Sequence, residues 1–91
     1  MKKLDLVFLW HMHQPDYRDH GAIVGAGDTA TGEFVLPWVY LHAMKDYVDM
    51  AAHLERHPQI RCVVNFVPVL LDQIEDYAQQ FTTGRFRDPL L

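Results

Sequence analysis

Two apolar runs of strand length, each followed by a segment of helical periodicity, predict an α/β chain in strand, helix, strand, helix order with parallel strands. The first run starts at Leu4, ends before Pro15 and is nearly continuous rather than alternating, as a parallel strand covered on both faces requires. The second, Ile60 to Val67, is rich in β-branched residues and closes at Pro68. A helix between two strands of one sheet makes the crossover the right-handed parallel unit.

The first strand stops abruptly in Trp10-His11-Met12-His13-Gln14-Pro15. Side chains alternate along a strand, so His11 and His13 share one side with Val7 and Leu9 behind them, while Trp10 and Met12 point to the other. Pro15 cannot donate to a ladder and ends the strand. Polar side chains at the carboxyl end of such a strand stand where α/β proteins place their sites.

Gln14 to Glu33 follows, holding Gly21, Gly25, Gly27 and Gly32 and almost no periodicity. Loops of that length in compact domains are uncommon and usually functional, which favours a loop covering the site. Its glycines do not make a phosphate cradle. No Lys-Ser/Thr follows them, and Gly25 and Gly27 lack a third glycine at the dinucleotide spacing.

Pro37 suits a first helical turn, and one amphipathic helix is expected from there to about Glu55. Tyr40, Leu41, Met44, Tyr47, Val48, Ala51 and Leu54 form its inner stripe, and His42, Lys45, Asp46, Asp49, His53 and Arg56 a solvated one. Trp38, just after the long loop, is placed to line a site or to anchor the helix. His57-Pro58-Gln59 breaks the helix before the second strand. Near that strand's end, Asn65 occupies a place equivalent to the histidines, and a polar amide there is either ligand-facing or a clip between strands. The second helix turns Leu70, Leu71, Ile74, Tyr77 and Ala78 inward and Asp72, Glu75 and Asp76 outward, with Gly84 at its exit. The tail from Arg85 to Leu91 carries no signal.

Ninety-one residues allow one small domain, and 49% hydrophobic with 22% charged residues is an ordinary globular composition. A net charge of −4 with scattered basic residues leaves no footprint for nucleic acid or an anionic membrane. The single cysteine, Cys62, excludes an internal disulfide and fits a reducing compartment. Met1-Lys2-Lys3 resembles the start of a secretory signal, but Asp5 interrupts it. No apolar run approaches the about 20 residues that span a bilayer, so the expected location is cytoplasmic, with no membrane partner. Two parallel strands with both faces apolar leave open edges, so the chain reads as the opening of a larger fold.

Three roles suit the histidine pair. Imidazoles at i and i+2 on a strand converge on one divalent ion, given further ligands such as Asp16, Asp19 or His20. Alternatively, His11, His13 and Gln14 hydrogen-bond a polar substrate such as a sugar, with Trp10, Tyr17 or Trp38 as apolar walls. In the third, both are satisfied structural residues. No nucleophile stands beside a base. Nor do the carboxylates form the pair that glycoside hydrolysis needs, Asp16 and Asp19 being the only ones near the strand end.

Three blocks together carry a family resemblance: Trp10-His11-Met12-His13-Gln14-Pro15; Leu36-Pro37-Trp38-Val39-Tyr40-Leu41-His42-Ala43-Met44-Lys45-Asp46-Tyr47; and Asn65-Phe66-Val67-Pro68-Val69-Leu70-Leu71-Asp72-Gln73-Ile74. In that order they resemble the amino-terminal part of glycoside hydrolase family 57, which includes α-amylases, 4-α-glucanotransferases, branching enzymes and amylopullulanases. The resemblance implies an incomplete (β/α)7 barrel, of which residues 1–91 are the opening βαβα segment. It implies action on α-glucans or maltooligosaccharides with retention of configuration, without a cofactor. His13, in the first family motif, is implied to bind substrate, with His11, Gln14, Trp10, Asn65 and Trp38 as further candidates. The family's nucleophile and acid/base lie in motifs outside this chain, so no catalytic residue is expected here and the 91 residues alone are expected to be inactive. The expected partners are the rest of the barrel or, for the segment alone, a second copy. Two alternatives stand beside this one: a metal-dependent hydrolase with His11 and His13 as ligands, and a non-catalytic carbohydrate-binding module.

Overall fold

The computed structural model describes residues 2–21, 31–88 and 91. The segment from Ala22 to Ala30, which contains Gly25 and Gly27, lies outside the described residues. The elements run β1 (Leu9–Met12), α1 (Trp38–Met44), α2 (Asp46–Arg56), β2 (Val63–Phe66) and α3 (Pro68–Thr83).

β1 and β2 pair in parallel, with Leu9 opposite Val63, Trp10 opposite Val64, His11 opposite Asn65 and Met12 opposite Phe66. The ladder is shorter than either apolar run. It is flanked by the bonds Val63 N to Phe8 O at 2.9 Å and Val67 N to Met12 O at 3.1 Å. Residues 2–8 and 60–62 stand outside it, because a strand extends only as far as its partner follows.

The pleat sorts the side chains as expected. Trp10, Met12, Val64 and Phe66 face Tyr47, Met50, Ala51 and Leu54 of α2 across an apolar cleft of about 100 Å³. The opposite face bears Leu9, His11, Val63 and Asn65, all exposed. Of the two covers that a continuous apolar run implies, the described residues supply one in part, with Val64 and Phe66 still exposed beside α2, and leave the other face open. The Cα radius of gyration, 17.9 Å, exceeds the about 12 Å of a compact domain of this length.

Pro37 to Glu55 is two helices rather than one. Lys45 leaves the helical region at φ −132° and ψ −59°, and α2 starts afresh at Asp46. On either side of the break α1 packs on α3, and α2 lines the cleft beside the sheet. Asp46 straddles it, its carboxylate held by His42 Nδ1 and Lys45 Nζ, each at 2.5 Å. These partners, Lys45 foremost, hold its carboxyl below the usual range, and an acid in a first turn also suits the helix dipole. The inward stripe changes with the bend. Val39 is fully buried, whereas Leu41, Met44 and Val48 are exposed.

The core is Met12, Phe34, Val39, Leu70 and Tyr77, bordered by Trp10, Tyr17, Tyr40, Tyr47, Met50 and Ile74. Phe34 stacks on Tyr77 with centroids 4.2 Å apart. On α3, Leu70 and Tyr77 point inward as expected, but Leu71 is half exposed and Gln73 and Gln80 are buried in its place. Proline opens α3 and Gly84 closes it at φ 68°, a left-handed cap that glycine adopts without strain.

The tail is tied back onto α3. The Arg87 guanidinium pairs with Asp76 and donates to Gly32 O, and its backbone N–H donates to Gln80 Oε1 at 2.7 Å. Tyr77 Oη donates to Asp88 Oδ2 at 2.6 Å. Burial first, and then the Asp88 carboxylate, pushes the phenol well above its ordinary pKa.

Candidate functional site

His11 lies opposite Asn65 in the register, and the two side chains meet: His11 Nδ1 stands 2.8 Å from Asn65 Oδ1. An amide oxygen only accepts, so Nδ1 donates in this contact and Nε2 is left facing outward from it. His13, two residues on, lies parallel to His11, with centroids 5.7 Å apart and planes 7° from parallel. The spacing is that of i and i+2 on one strand face, so the stack follows from the pleat. Both rings and the amide are exposed, at the carboxyl ends of two parallel strands. Such a group presents hydrogen-bonding side chains together on one open face of the sheet.

The other candidates stand elsewhere. Trp10 is on the opposite face, half buried over the cleft beneath α2. Gln14 accepts from Tyr17 Oη at 2.8 Å, which fixes its amide to the loop behind the strand end. Trp38 sits in the first turn of α1, 46% exposed, and makes no ring contact with either histidine among the described residues. The trio of His11, His13 and Asn65 is what the fold brings together.

The nearby carboxylates are committed to other partners. Asp16 accepts from Arg18 N, Arg18 Nε and His20 Nε2, at 3.1, 2.9 and 2.7 Å. The Arg18 guanidinium, working against partial burial, holds its carboxyl down at about 2. A group that stays ionised at any working pH cannot serve as a general acid. Arg18 also reaches Asp72 at 2.6 Å and Asp76 at 3.7 Å, and its own pKa is raised by the Asp16 carboxylate first and then by Asp72. Asp19 accepts from Gly21 N, Thr31 N and Thr31 Oγ1, in that way closing the neck of the long loop. Its pKa is lowered by those bonds, the Gly21 amide first.

That neck carries order the sequence did not signal. Asp19 N donates to Glu33 O at 2.8 Å, Gly32 N to Asp19 O at 3.0 Å and Val35 N to Tyr17 O at 2.9 Å, an antiparallel stem around the Arg18 and Phe34 bridge. No three His, Cys, Asp or Glu side chains gather in a metal-binding group among the described residues. None of their helices is long and apolar enough to cross a membrane.

Sequence reasoning missed Gln73. It is fully buried, donates from Nε2 to Pro15 O at 2.8 Å and to Val69 O at 3.0 Å, and accepts from Tyr17 N at 3.0 Å. The signal was present, since Leu70, Gln73, Tyr77 and Gln80 recur at helical spacing on one face of α3.

Comparison with curated proteins and with solved structures returned no match. The family model of glycosyl hydrolase family 57 matches residues 7–87, a span that takes in β1, β2, α1 to α3 and the trio of His11, His13 and Asn65. With nearly its whole length matched, the chain belongs to glycosyl hydrolase family 57.

Proposed function

We propose that residues 1–91 form the opening βαβα segment of a distorted (β/α)7 barrel in a retaining α-glucan-active hydrolase or transglycosylase of α-amylase or 4-α-glucanotransferase type. The open face of β1 and β2 is then barrel interior, and α1 to α3 belong to its outer ring. His13, His11 and Asn65 hydrogen-bond sugar hydroxyls at the carboxyl end of the barrel. Gln14 shapes that end from behind. Trp10 supports it through the sheet, and Trp38 borders it in the closed barrel.

The observation that carries this reading is the convergence of His11, His13 and Asn65 on one uncovered face at the ends of two parallel strands. Substrate groups held on such a frame are positioned with little entropy left to lose in the transition state. The reacting carboxylates come from the remainder of the full-length protein; Asp16 and Asp19 are engaged by Arg18, His20, Gly21 and Thr31, and their lowered pKa values unfit them for the general acid. The chain works in the cytoplasm, without cofactor, nucleic acid or membrane. Made alone, it turns over no glucan and associates through its uncovered strands.

The test is turnover of maltooligosaccharides by the full-length protein, with and without a chelator, followed by NMR of the product anomer. Cleavage or transfer that retains the α configuration and ignores the chelator is expected. Turnover abolished by the chelator and restored by zinc or manganese would instead mark His11 and His13 as metal ligands. Sugar binding without any turnover would mark a non-catalytic module.

A further inference from the structure

The polar groups of Gln73 behave like a peptide unit from a neighbouring strand. One amide donates to Pro15 O and accepts from Tyr17 N, so it brackets the chain on both sides of Asp16, while its second hydrogen satisfies Val69 O. Two donors and one acceptor are thus all engaged inside a site with no exposure. The chain it grips is the exit of β1, immediately after His13 and Gln14. Tyr17 passes the constraint on, its Oη donating to Gln14 Oε1 at 2.8 Å and its carbonyl accepting from Val35 N at 2.9 Å.

We infer that Gln73 is a positioning residue for the sugar site: from the buried face of α3 it sets the path of residues 13–17, and through Tyr17 the orientation of the Gln14 amide. The inference deepens the proposed function and rests on the reading of the β1 end as a sugar site. The chemistry is specific to a carboxamide of this length. A leucine of similar volume leaves Pro15 O and Tyr17 N without these partners, and the chain must shift for water to replace them. Displacement of a binding group by about 1 Å costs on the order of 100-fold in catalytic efficiency.

The experiment compares Gln73→Leu, Tyr17→Phe and Gln80→Leu in the full-length protein. Gln80 is the control, because it is equally buried on the same helix but holds the tail at Arg87 N. Kinetics on maltooligosaccharides are run well below every melting midpoint. The expected result is a fall in kcat/KM of about 10- to 100-fold for Gln73→Leu, a several-fold rise in KM for Tyr17→Phe, and values near wild type for Gln80→Leu. Should Gln73→Leu fail to fold, the contrast between Tyr17→Phe and Gln80→Leu decides. Equal losses in the Gln73 and Gln80 variants, or wild-type kinetics in a folded Gln73→Leu and in Tyr17→Phe, would overturn the inference. If wild-type protein turns over no glucan, the proposed function fails separately, and amide exchange at Tyr17 together with the His13 ring signals still decides the positioning. Faster exchange and shifted signals in Gln73→Leu alone support it, and their absence overturns it.

Discussion

Replacing Asp16 by Asn tests whether the carboxylate that follows His13 by three positions is structural or chemical. The Arg18 guanidinium holds its carboxyl at about 2, against an ordinary 3.8. At about 1.4 kcal/mol per pKa unit this corresponds to an upper bound of about 2.4 kcal/mol. The side chain keeps 24% of its area exposed, and solvent screening of such a pair trims the figure to about 1 kcal/mol. Because the folded-state pKa lies below the unfolded one, this stability is fully present above about pH 4 and is lost as pH falls towards 2. Asn keeps one acceptor for Arg18 N–H but has no charge for the guanidinium. Urea midpoints of full-length wild-type and Asp16→Asn protein, measured from pH 7 to 2, should differ by about 1 kcal/mol at neutral pH and converge in acid. The pH profile of turnover should be the same in both, since a carboxylate ionised throughout contributes no limb to it. A parallel acid loss in the variant would refute the stabilising pair, and loss of one limb of the profile would make Asp16 a reacting acid.

Three further outcomes follow from the geometry. His13→Ala should sharply reduce kcat/KM with the fold intact, whereas His53→Ala, exposed on α2, should leave kinetics and melting near wild type; steady-state kinetics and circular dichroism check both. His11→Ala and Asn65→Ala should couple in a double-mutant cycle by about 0.5–1.5 kcal/mol, the worth of one hydrogen bond, whereas additive losses would mean that the 2.8 Å contact contributes nothing. Leu70→Ala should cost about 2–5 kcal/mol from a fully buried site, while Leu71→Ala, half exposed, should cost much less, as read from denaturation midpoints.

What could be read from residue order alone was whatever depends on local period. Alternation along Leu9 to Met12 assigned His11 and Trp10 to opposite faces, and the apolar runs with their prolines gave a parallel pair with Asn65 level with the histidines. Gly84 was legible as a helix exit because a left-handed cap has one cheap residue. The break at Lys45 was not legible. It involves neither proline nor glycine at Lys45, so no residue of local breaking type marks it. Val39 stands inside where Leu41 and Met44 were expected.

The sequence by itself determined the family and the place of His11 and His13 at a strand end, since both reside in short contiguous blocks whose chemistry survives without knowledge of the rest. Only the tertiary structure decided how that end is held. Gln73 lies 58 positions from Pro15, and Arg18 lies 54 from Asp72. A polar residue's burial depends on which distant backbone groups it meets, and no local pattern encodes that meeting. The uncovered sheet face shows the same division: its apolar residues were plain in the sequence, but whether anything lies over them is a property of packing alone.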